Sequence, residues 1–391
     1  MYPRSYWLRR IRQAWQRRSV IWLKGVRRVG KTVLAQSLPD IEYFDCELPR
    51  VRRNMAEPEA FLRALRGQAI VLDEIHRLDN PAELLKIAAD HFPDTHVLAT
   101  GSSSLSASAR FGDTLTGRKE EIWLTPMVLA DLADFGSADL DRRLLRGGLP
   151  SFFLAGELPE RDFQEWMDGY WSKDILELFR LRERHAFLRF VELMLLNSGG
   201  MFEATRYARP CEVSRTTIAN YLQVMESTFV AHVIRPYAER RRSEIVSAPK
   251  VYAFDTGFVA YFRGWQSLRP EDRGALWEHL VLNELQAHLP AGARVAYWRS
   301  KHGNEVDFVV LRRGQPPAAI ECKWSHDRFE SRNLRVFRAH YPEGENYLVA
   351  HDVDRPIQRT YSGHAVTVTG LSDLVEQLAG QDASRGVGLG A

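Results

Sequence analysis

Apolar residues over the first third of the chain fall in short unbroken runs, at Val20–Lys24, Ile41–Phe44, Ala69–Leu72, His96–Thr100 and Glu121–Leu124. A run of four or five without polar alternation predicts a strand buried on both faces. Helical patterns separate the runs, so the expected fold class is α/β with a parallel sheet covered on both sides. From about Met127 to Asn197 the period turns helical, with Leu129, Leu132, Leu140 and Leu144 spaced for one face. Gly147-Gly148-Leu149-Pro150 interrupts that period as a turn between helices. Met201–Asp255 predicts short helices followed by a hairpin. From Gly274 a helix, strands and a further helix predict a separate α/β domain. Gly380–Ala391 is rich in Gly and Ser and is expected to be disordered.

Composition changes this picture little. At 391 residues the chain exceeds one typical core, so two or three domains are expected. Apolar residues make up 45% and charged residues 26%, the balance of a globular protein. No stretch approaches the roughly 18 apolar residues of a membrane span. The first ten residues lack the apolar core and small-residue cleavage site of a signal peptide. The expected location is therefore cytoplasmic, with no membrane partner. Cys46, Cys211 and Cys322 lie too far apart for a zinc motif or a disulfide framework and are expected as free thiols. A formal net charge of +3 does not itself imply nucleic acid, but arginine clusters at Arg9–Arg18 and Arg240–Arg242.

The strongest chemical signal follows the first apolar run. Gly25-Val26-Arg27-Arg28-Val29-Gly30-Lys31-Thr32 matches G-x-x-x-x-G-K-[ST] between a predicted strand and a predicted helix. Its glycines let the backbone curl so that amides face phosphate, while the helix start favours negative charge. Lys31 is expected at the β/γ-phosphates of ATP and the Thr32 hydroxyl on magnesium. Ala69–Asp73-Glu74 is a buried run ending in two carboxylates, as in a Walker B element. Asp73 is expected to hold magnesium and Glu74 to orient or deprotonate the attacking water. The run His96–Thr100 leads into Gly101-Ser102-Ser103-Ser104, where Thr100 and Ser102 are candidate sensors of the γ-phosphate, against a plain Gly/Ser turn. Arg110 and Arg118 are candidates for a trans-acting arginine finger, which leaves association with further copies of the chain open.

These residues resemble a family. Gly25–Thr32, Leu72-Asp73-Glu74, Thr100–Ser103, Gly117-Arg118, Gly147–Pro150, Pro249–Gly257, Trp277-Glu278, Tyr297-Trp298-Arg299, Glu305–Phe308 and Glu321-Cys322-Lys323 together resemble prokaryotic AAA-type ATPases with a carboxy-terminal domain of unknown function. The resemblance spans nearly the whole chain. It implies a P-loop AAA-like core over residues 1–126, a helical lid over 127–200 and a winged-helix segment over 201–256. A restriction-endonuclease-like α/β domain over 257–379 and a disordered tail over 380–391 complete the expected order.

Two further segments carry chemistry. Met201–Ala208, a break at Arg209-Pro210-Cys211, and Val213–Leu222 predict a helix-turn-helix with Ser214 as N-cap. Arg215, Thr216, Thr217 and Asn220 would be exposed near the start of the second helix, where base-reading side chains sit, and Arg240–Arg242 would form a basic wing tip. Winged helices also serve as spacers or protein contacts, so DNA and protein both stand as partners. In the last domain Glu321 and Lys323 share one face of a predicted strand, near Asp307 on its neighbour and Glu278 on a helix. That is the arrangement of D…E-x-K nucleases. Glu278, Asp307 and Glu321 would ligate magnesium and Lys323 would position or activate water. The expected function is an ATP-hydrolysing AAA-type protein that engages DNA, with a magnesium-dependent nuclease site at its end. The alternative is a nucleotide-dependent regulatory module whose nuclease-like domain is an inactive scaffold.

Overall fold

The computed structural model describes residues 2–101, 115–158, 160–179, 181, 183–238 and 248–383. The chain divides into two compact units, each assembled from separated stretches. The first comprises Met1–Asp139, Gly148–Leu188 and Asn220–Val230; the second comprises Leu140–Gly147, Arg189–Ala219 and Ala231–Ala391.

In the first unit the apolar runs become strands β1 (Val20–Lys24), β2 (Ile41–Asp45), β3 (Ala69–Asp73), β4 (His96–Thr100) and β5 (Lys119–Trp123). Only the last differs notably from its expected bounds, starting two residues earlier. They form one parallel sheet in the order β2-β3-β4-β1-β5. Val20–Leu23 of β1 have no exposed surface, which is why this run shows no polar alternation. Edge strand β2 is only partly buried and carries Glu42 and Tyr43. Trp22, Leu62, Ile70, Leu72, Leu85 and Val97 belong to the core beneath the sheet, each burial of this kind contributing about 1.5–3 kcal/mol. Leu23 is level with Thr100, and Leu72 with Ala99, so the carboxyl ends of β1, β4 and β3 lie side by side. Ligands of open α/β sheets bind at such ends.

The helical period after residue 127 resolves into Leu129–Asp134, Leu140–Arg146, Pro150–Leu154, Glu160–Gly169, a π-helical turn at Tyr170–Ile175, Leu176–Phe179 and Arg184–Leu196. Leu132 and Leu144 are buried as the spacing requires, whereas Leu129 and Leu140, each the first residue of its helix, are half-buried.

The second unit holds two sheets. Strands β6 (Gly200–Met201), β7 (Ala231–Ile234) and β8 (Lys250–Ala253) are antiparallel, with β8 in the middle. Helices Ala204–Ala208 and Arg215–Ser227 lie between β6 and β7 in sequence. The larger sheet contains β9 (Arg294–Arg299), β10 (Glu305–Leu311), β11 (Ala318–Lys323), β12 (Asn346–Ala350), β13 (Ile357–Tyr361) and β14 (His364–Thr369), in the order β13-β14-β12-β11-β10-β9. Central β12 is buried throughout, whereas edge strand β13 is exposed from Ile357 to Thr360. The backbone at Arg235–Tyr237 runs beside β9: Tyr237 N–H donates to Tyr297 O at 2.6 Å, and Tyr297 N–H to Arg235 O at 3.2 Å. The small sheet thereby leads into the large one. Helix Pro270–His288 packs on β11 and buries Leu276, Trp277, Leu280, Val281 and Leu285.

Helix Leu371–Ala383 buries Leu371, Leu374, Val375 and Leu378, so the first residues of the stretch expected to be disordered are helical. Residues 384–391, Ser102–Ser104, Arg110 and Arg240–Arg242 lie outside the described residues. Cys46, Cys211 and Cys322 are buried free thiols. Among the described residues no helix is long and apolar enough to cross a membrane.

Candidate functional site

The loop Gly25–Thr32 leaves the carboxyl end of β1 and enters helix Lys31–Gln36. Its two valines, Val26 and Val29, are buried, while Arg28 is exposed and Arg27 partly so. The alternation anchors the loop from below and leaves its basic side chains at the surface. Gly30 has φ +97°, a left-handed conformation that the last loop residue needs and that glycine adopts without a Cβ clash. Lys31 Nζ donates to Gly25 O at 2.9 Å and to Val26 O at 3.3 Å, so the ammonium folds over the loop it would serve.

Asp73, at the end of β3, gathers hydroxyls. Thr32 Oγ1 donates to its Oδ2 at 2.9 Å and Tyr43 Oη to the same oxygen at 2.5 Å. Thr100 Oγ1 donates to Oδ1 and also accepts from Glu74 N–H at 3.1 Å. Thr100, a sensor candidate from sequence, is thus engaged on the Asp73-Glu74 pair. Glu74 itself has φ +53°, an uncommon value for a non-glycine residue and one found where a site over-determines the backbone. Its Oε2 lies 3.1 Å from His76 Nδ1.

Lys31, Thr32, Glu74 and His76 line one cavity of about 610 Å³ with Arg27, Arg77, Pro150, Lys173 and Asp174. Lys173 and Asp174 come from the π-helical turn, a geometry that recurs at functional sites. Arg27 Nη1 sits 3.6 Å from Asp174 Oδ2, and Trp166 Nε1 donates to Arg27 O at 3.1 Å. Burial pushes the Lys31 ammonium below its usual range, against the pull of Glu74, Asp174 and Asp73. Burial raises the Asp174 carboxyl despite Arg27 and Lys31. For Glu74, burial acts upward, but the His76 hydrogen bond and the charges of Lys31, His76 and Arg77 together bring it below the ordinary value. Tyr43 is raised by burial and by its bond to Asp73. Thr32 and Asp73 present hard oxygen donors side by side, which fits magnesium. Arg118, by contrast, pairs with Asp90 at 2.7 Å.

In the second unit Asp307 and Glu321 meet at Lys323, while Glu278 is held by Tyr252 and Lys250. Asp307 Oδ2 accepts from Cys322 N–H at 2.8 Å, and Lys323 Nζ lies 3.2 Å from Glu321 Oε2 and 3.6 Å from Asp307 Oδ2. Glu321 is buried, and its Oε1 has no hydrogen-bond partner. Burial, then Asp307, pushes the Glu321 carboxyl well up, and the same two causes raise Glu278. Glu278 accepts from Tyr252 Oη at 2.5 Å and lies 3.3 Å from Lys250 Nζ, which also contacts Glu305. Among the described residues no group of three or more His, Cys, Asp or Glu is gathered closely enough to hold a metal ion. Glu284, on the same helix as Glu278, is buried 3.4 Å from His288.

Sequence reasoning did not find Tyr43, Asp174, Lys250 or Tyr252. Tyr43 and Asp174 belong to no motif, and Lys250 and Tyr252 stood in a quoted motif without a role. In the middle segment Ser214 Oγ accepts from Thr217 N–H at 3.1 Å as an N-cap, and Arg215, Thr216 and Asn220 are exposed, whereas Thr217, expected with them, is half-buried against the cap.

Residues 17–133 match the family described as AAA domain. Residues 137–269 and 273–371 match two domains of unknown function, DUF8612 and DUF4143. The uncharacterized protein Rv2008c of Mycobacterium tuberculosis is 31% identical over 340 residues, covering 83% of this chain and 75% of that protein. An uncharacterized protein of Haemophilus influenzae is 21% identical over 323 residues, covering 74% of this chain and 79% of its own length. Among solved structures, the Walker-type ATPase of Pyrococcus abyssi is similar at 14% identity and a TM-score of 0.43, over 67% of this chain and 96% of that one. With 31% identity across three quarters of its mycobacterial relative and an AAA domain at residues 17–133, the chain belongs to the family of Rv2008c and carries an AAA-type P-loop domain.

Proposed function

We propose that the chain binds ATP with magnesium at the P-loop and hydrolyses it. The observation that carries this reading is the convergence of Lys31, Thr32, Asp73 and Glu74 at the level carboxyl ends of β1, β3 and β4. Loop residues Gly25, Val26, Arg27, Arg28, Val29 and Gly30 supply the amides that surround the phosphates, and Lys31 meets the β/γ oxygens. Thr32 and Asp73 would hold the magnesium, which would supply positive charge against the phosphates. Glu74, kept ionised by His76 and Lys31, orients or deprotonates the attacking water. The test is Lys31→Ala, for which ATP turnover falls to background. Full turnover in that variant would remove the P-loop assignment.

A second reading concerns the terminal acids. Residues 127–200 serve as a lid, 201–256 as a winged helix and 257–379 as a restriction-endonuclease-like domain. On this reading Glu278, Asp307 and Glu321 would supply hard oxygen donors to a divalent cation once they closed in from their present spacing, with Lys323 positioning water. On this reading the chain engages DNA and cleaves phosphodiesters; its rival is a regulatory module with an inactive scaffold. Incubation with plasmid and single-stranded DNA, magnesium, and ATP present or absent separates them. Cleavage that disappears in Asp307→Ala supports the nuclease. ATP turnover with no cleavage under any condition supports the scaffold.

A further inference from the structure

Helix Ser5–Trp15 lies outside the loop motif and the acid pair, and its N-cap, Arg4, stands in the left-handed region at φ +43°. An arginine held there with 3% of its surface exposed marks a backbone that its surroundings over-determine. Its guanidinium makes three bonds. Nη1 donates to Val29 O at 2.9 Å, and Nη2 donates to Thr125 O at 3.3 Å and to Asp131 Oδ2 at 2.7 Å. The same Asp131 oxygen accepts from Val128 N–H at 2.9 Å and from Trp7 Nε1 at 3.3 Å. A buried ion pair therefore ties the loop residue before Gly30 to the start of helix Leu129–Asp134.

An anion site built from backbone needs its N–H groups turned inward and its carbonyls turned elsewhere. Gly25 O and Val26 O accept from Lys31 Nζ, Arg27 O from Trp166 Nε1, and Val29 O from Arg4. We propose that Arg4 is a positioning residue of the nucleotide site, holding Val29 O so that Gly30 N–H stays aimed at the phosphates. The inference rests on ATP binding at the P-loop, as read above. In the planar trans peptide between Val29 and Gly30 the carbonyl and the N–H point opposite ways. Fixing the carbonyl on Arg4 thus turns Gly30 N–H to the other side, toward the cavity that Gly30 lines with Lys31 and Thr32. Without Arg4 that peptide can turn over, because Gly30 accepts either sign of φ. A carbonyl aimed at phosphate then replaces a donor with a repelling dipole.

The experiment is titration of the full chain with a fluorescent ATP analogue and magnesium, beside denaturant midpoints. It uses wild type, Lys31→Ala, Arg4→Met, Asp131→Asn and the double variant Arg4→Met/Asp131→Asn. Arg4→Met weakens nucleotide binding by about tenfold, the lower end of what one hydrogen bond to a charged group contributes. Asp131→Asn removes the charge of the ion pair but keeps an acceptor oxygen for Arg4 Nη2. Its midpoint falls while its nucleotide affinity stays near wild type. The double variant leaves no unpaired buried charge, so it folds even where Arg4→Met alone does not, and it binds as weakly as Arg4→Met. Wild-type affinity in the double variant overturns the proposal. So does an equal loss of affinity in Asp131→Asn, which would make the pair a stability element only. If Lys31→Ala binds nucleotide as well as wild type, the P-loop reading itself fails and the role of Arg4 falls with it.

Discussion

Asp73 receives hydroxyl hydrogen bonds from Thr32, Tyr43 and Thr100, and the neighbouring carboxylate of Glu74 lies against His76. On the proposed reading the two acids take different tasks, Asp73 as a fixed oxygen donor and Glu74 as an ionised base. Glu74→Gln keeps the shape and removes the base, so ATP turnover drops by about 10²–10⁴-fold while nucleotide binding persists. Phosphate release beside fluorescent-nucleotide titration checks this, and a comparable loss of binding would contradict it. In the second unit, His279 Nδ1 contacts Ala275 O at 2.7 Å, which assigns it the proton. Its Nε2 then accepts from Ser198 Oγ at 2.5 Å, and that oxygen accepts from Ala253 N–H at 2.6 Å. Burial, with Arg263 and Lys250, outweighs the Ala275 bond and pushes the imidazole down to about 4. The unfolded chain, with a histidine near 6.5, binds that proton first, so stability rises with pH across this window. The contribution is complete above pH 6.5 and is lost as pH falls toward 4. Denaturant midpoints measured from pH 7.5 to 4 show the decline, amounting to about 3 kcal/mol from this residue; His279→Gln removes that share and leaves the part due to His232, which burial pushes down to about 3.

At the scale of elements, tight approaches hold the second unit together. Gly147 has φ +86°, and a Cβ there would stand 1.9 Å from Asp255 Oδ1. Asp255 is the N-cap of helix Thr256–Phe262, its Oδ1 accepting from Gly257 N–H at 2.9 Å. Gly147→Ala therefore disturbs the backbone and the cap together. It lowers stability by about 2–4 kcal/mol, read as a fall in the thermal midpoint, whereas Gly136→Ala meets no neighbouring atom and shows only its backbone strain. Arg338 plays a comparable part by donating to Asn346 Oδ1 and to the carbonyls of Pro317, Tyr341, Glu343 and Glu345. These contacts were not legible beforehand: Asp255 lies far along the chain from Gly147, and no sequence pattern announces that Arg338 turns back onto the carbonyls of the segment after its own helix.

Over the whole molecule a formal charge of +3 gives no strong field, so any polyanion must be held by local groups. Arg215, Thr216 and Asn220 are exposed beside the capped start of their helix. On the DNA-engaging reading, the association constant falls steeply as salt rises. Arg215→Ala weakens binding and reduces the slope of log K against log salt by about one, measured by fluorescence anisotropy from 50 to 200 mM salt. Salt-independent binding, or no change in Arg215→Ala, would favour a protein contact at this helix.

The sequence by itself determined the parallel sheet, the P-loop and the acid pair after β3. Each is a local feature, in which uninterrupted apolar runs declare buried strands and the loop motif declares its ligand chemistry within eight residues. The strands carrying Asp307 and Glu321 were legible for the same reason. Only the tertiary structure decided that Tyr43 would join Asp73, that Asp174 would face Lys31 across the same cavity, and that Lys250 would stand between Glu278 and Glu305. Those meetings depend on strand order and on returns of the chain from far along it. Side-chain periodicity reports which face of an element is buried, but not which distant element covers it.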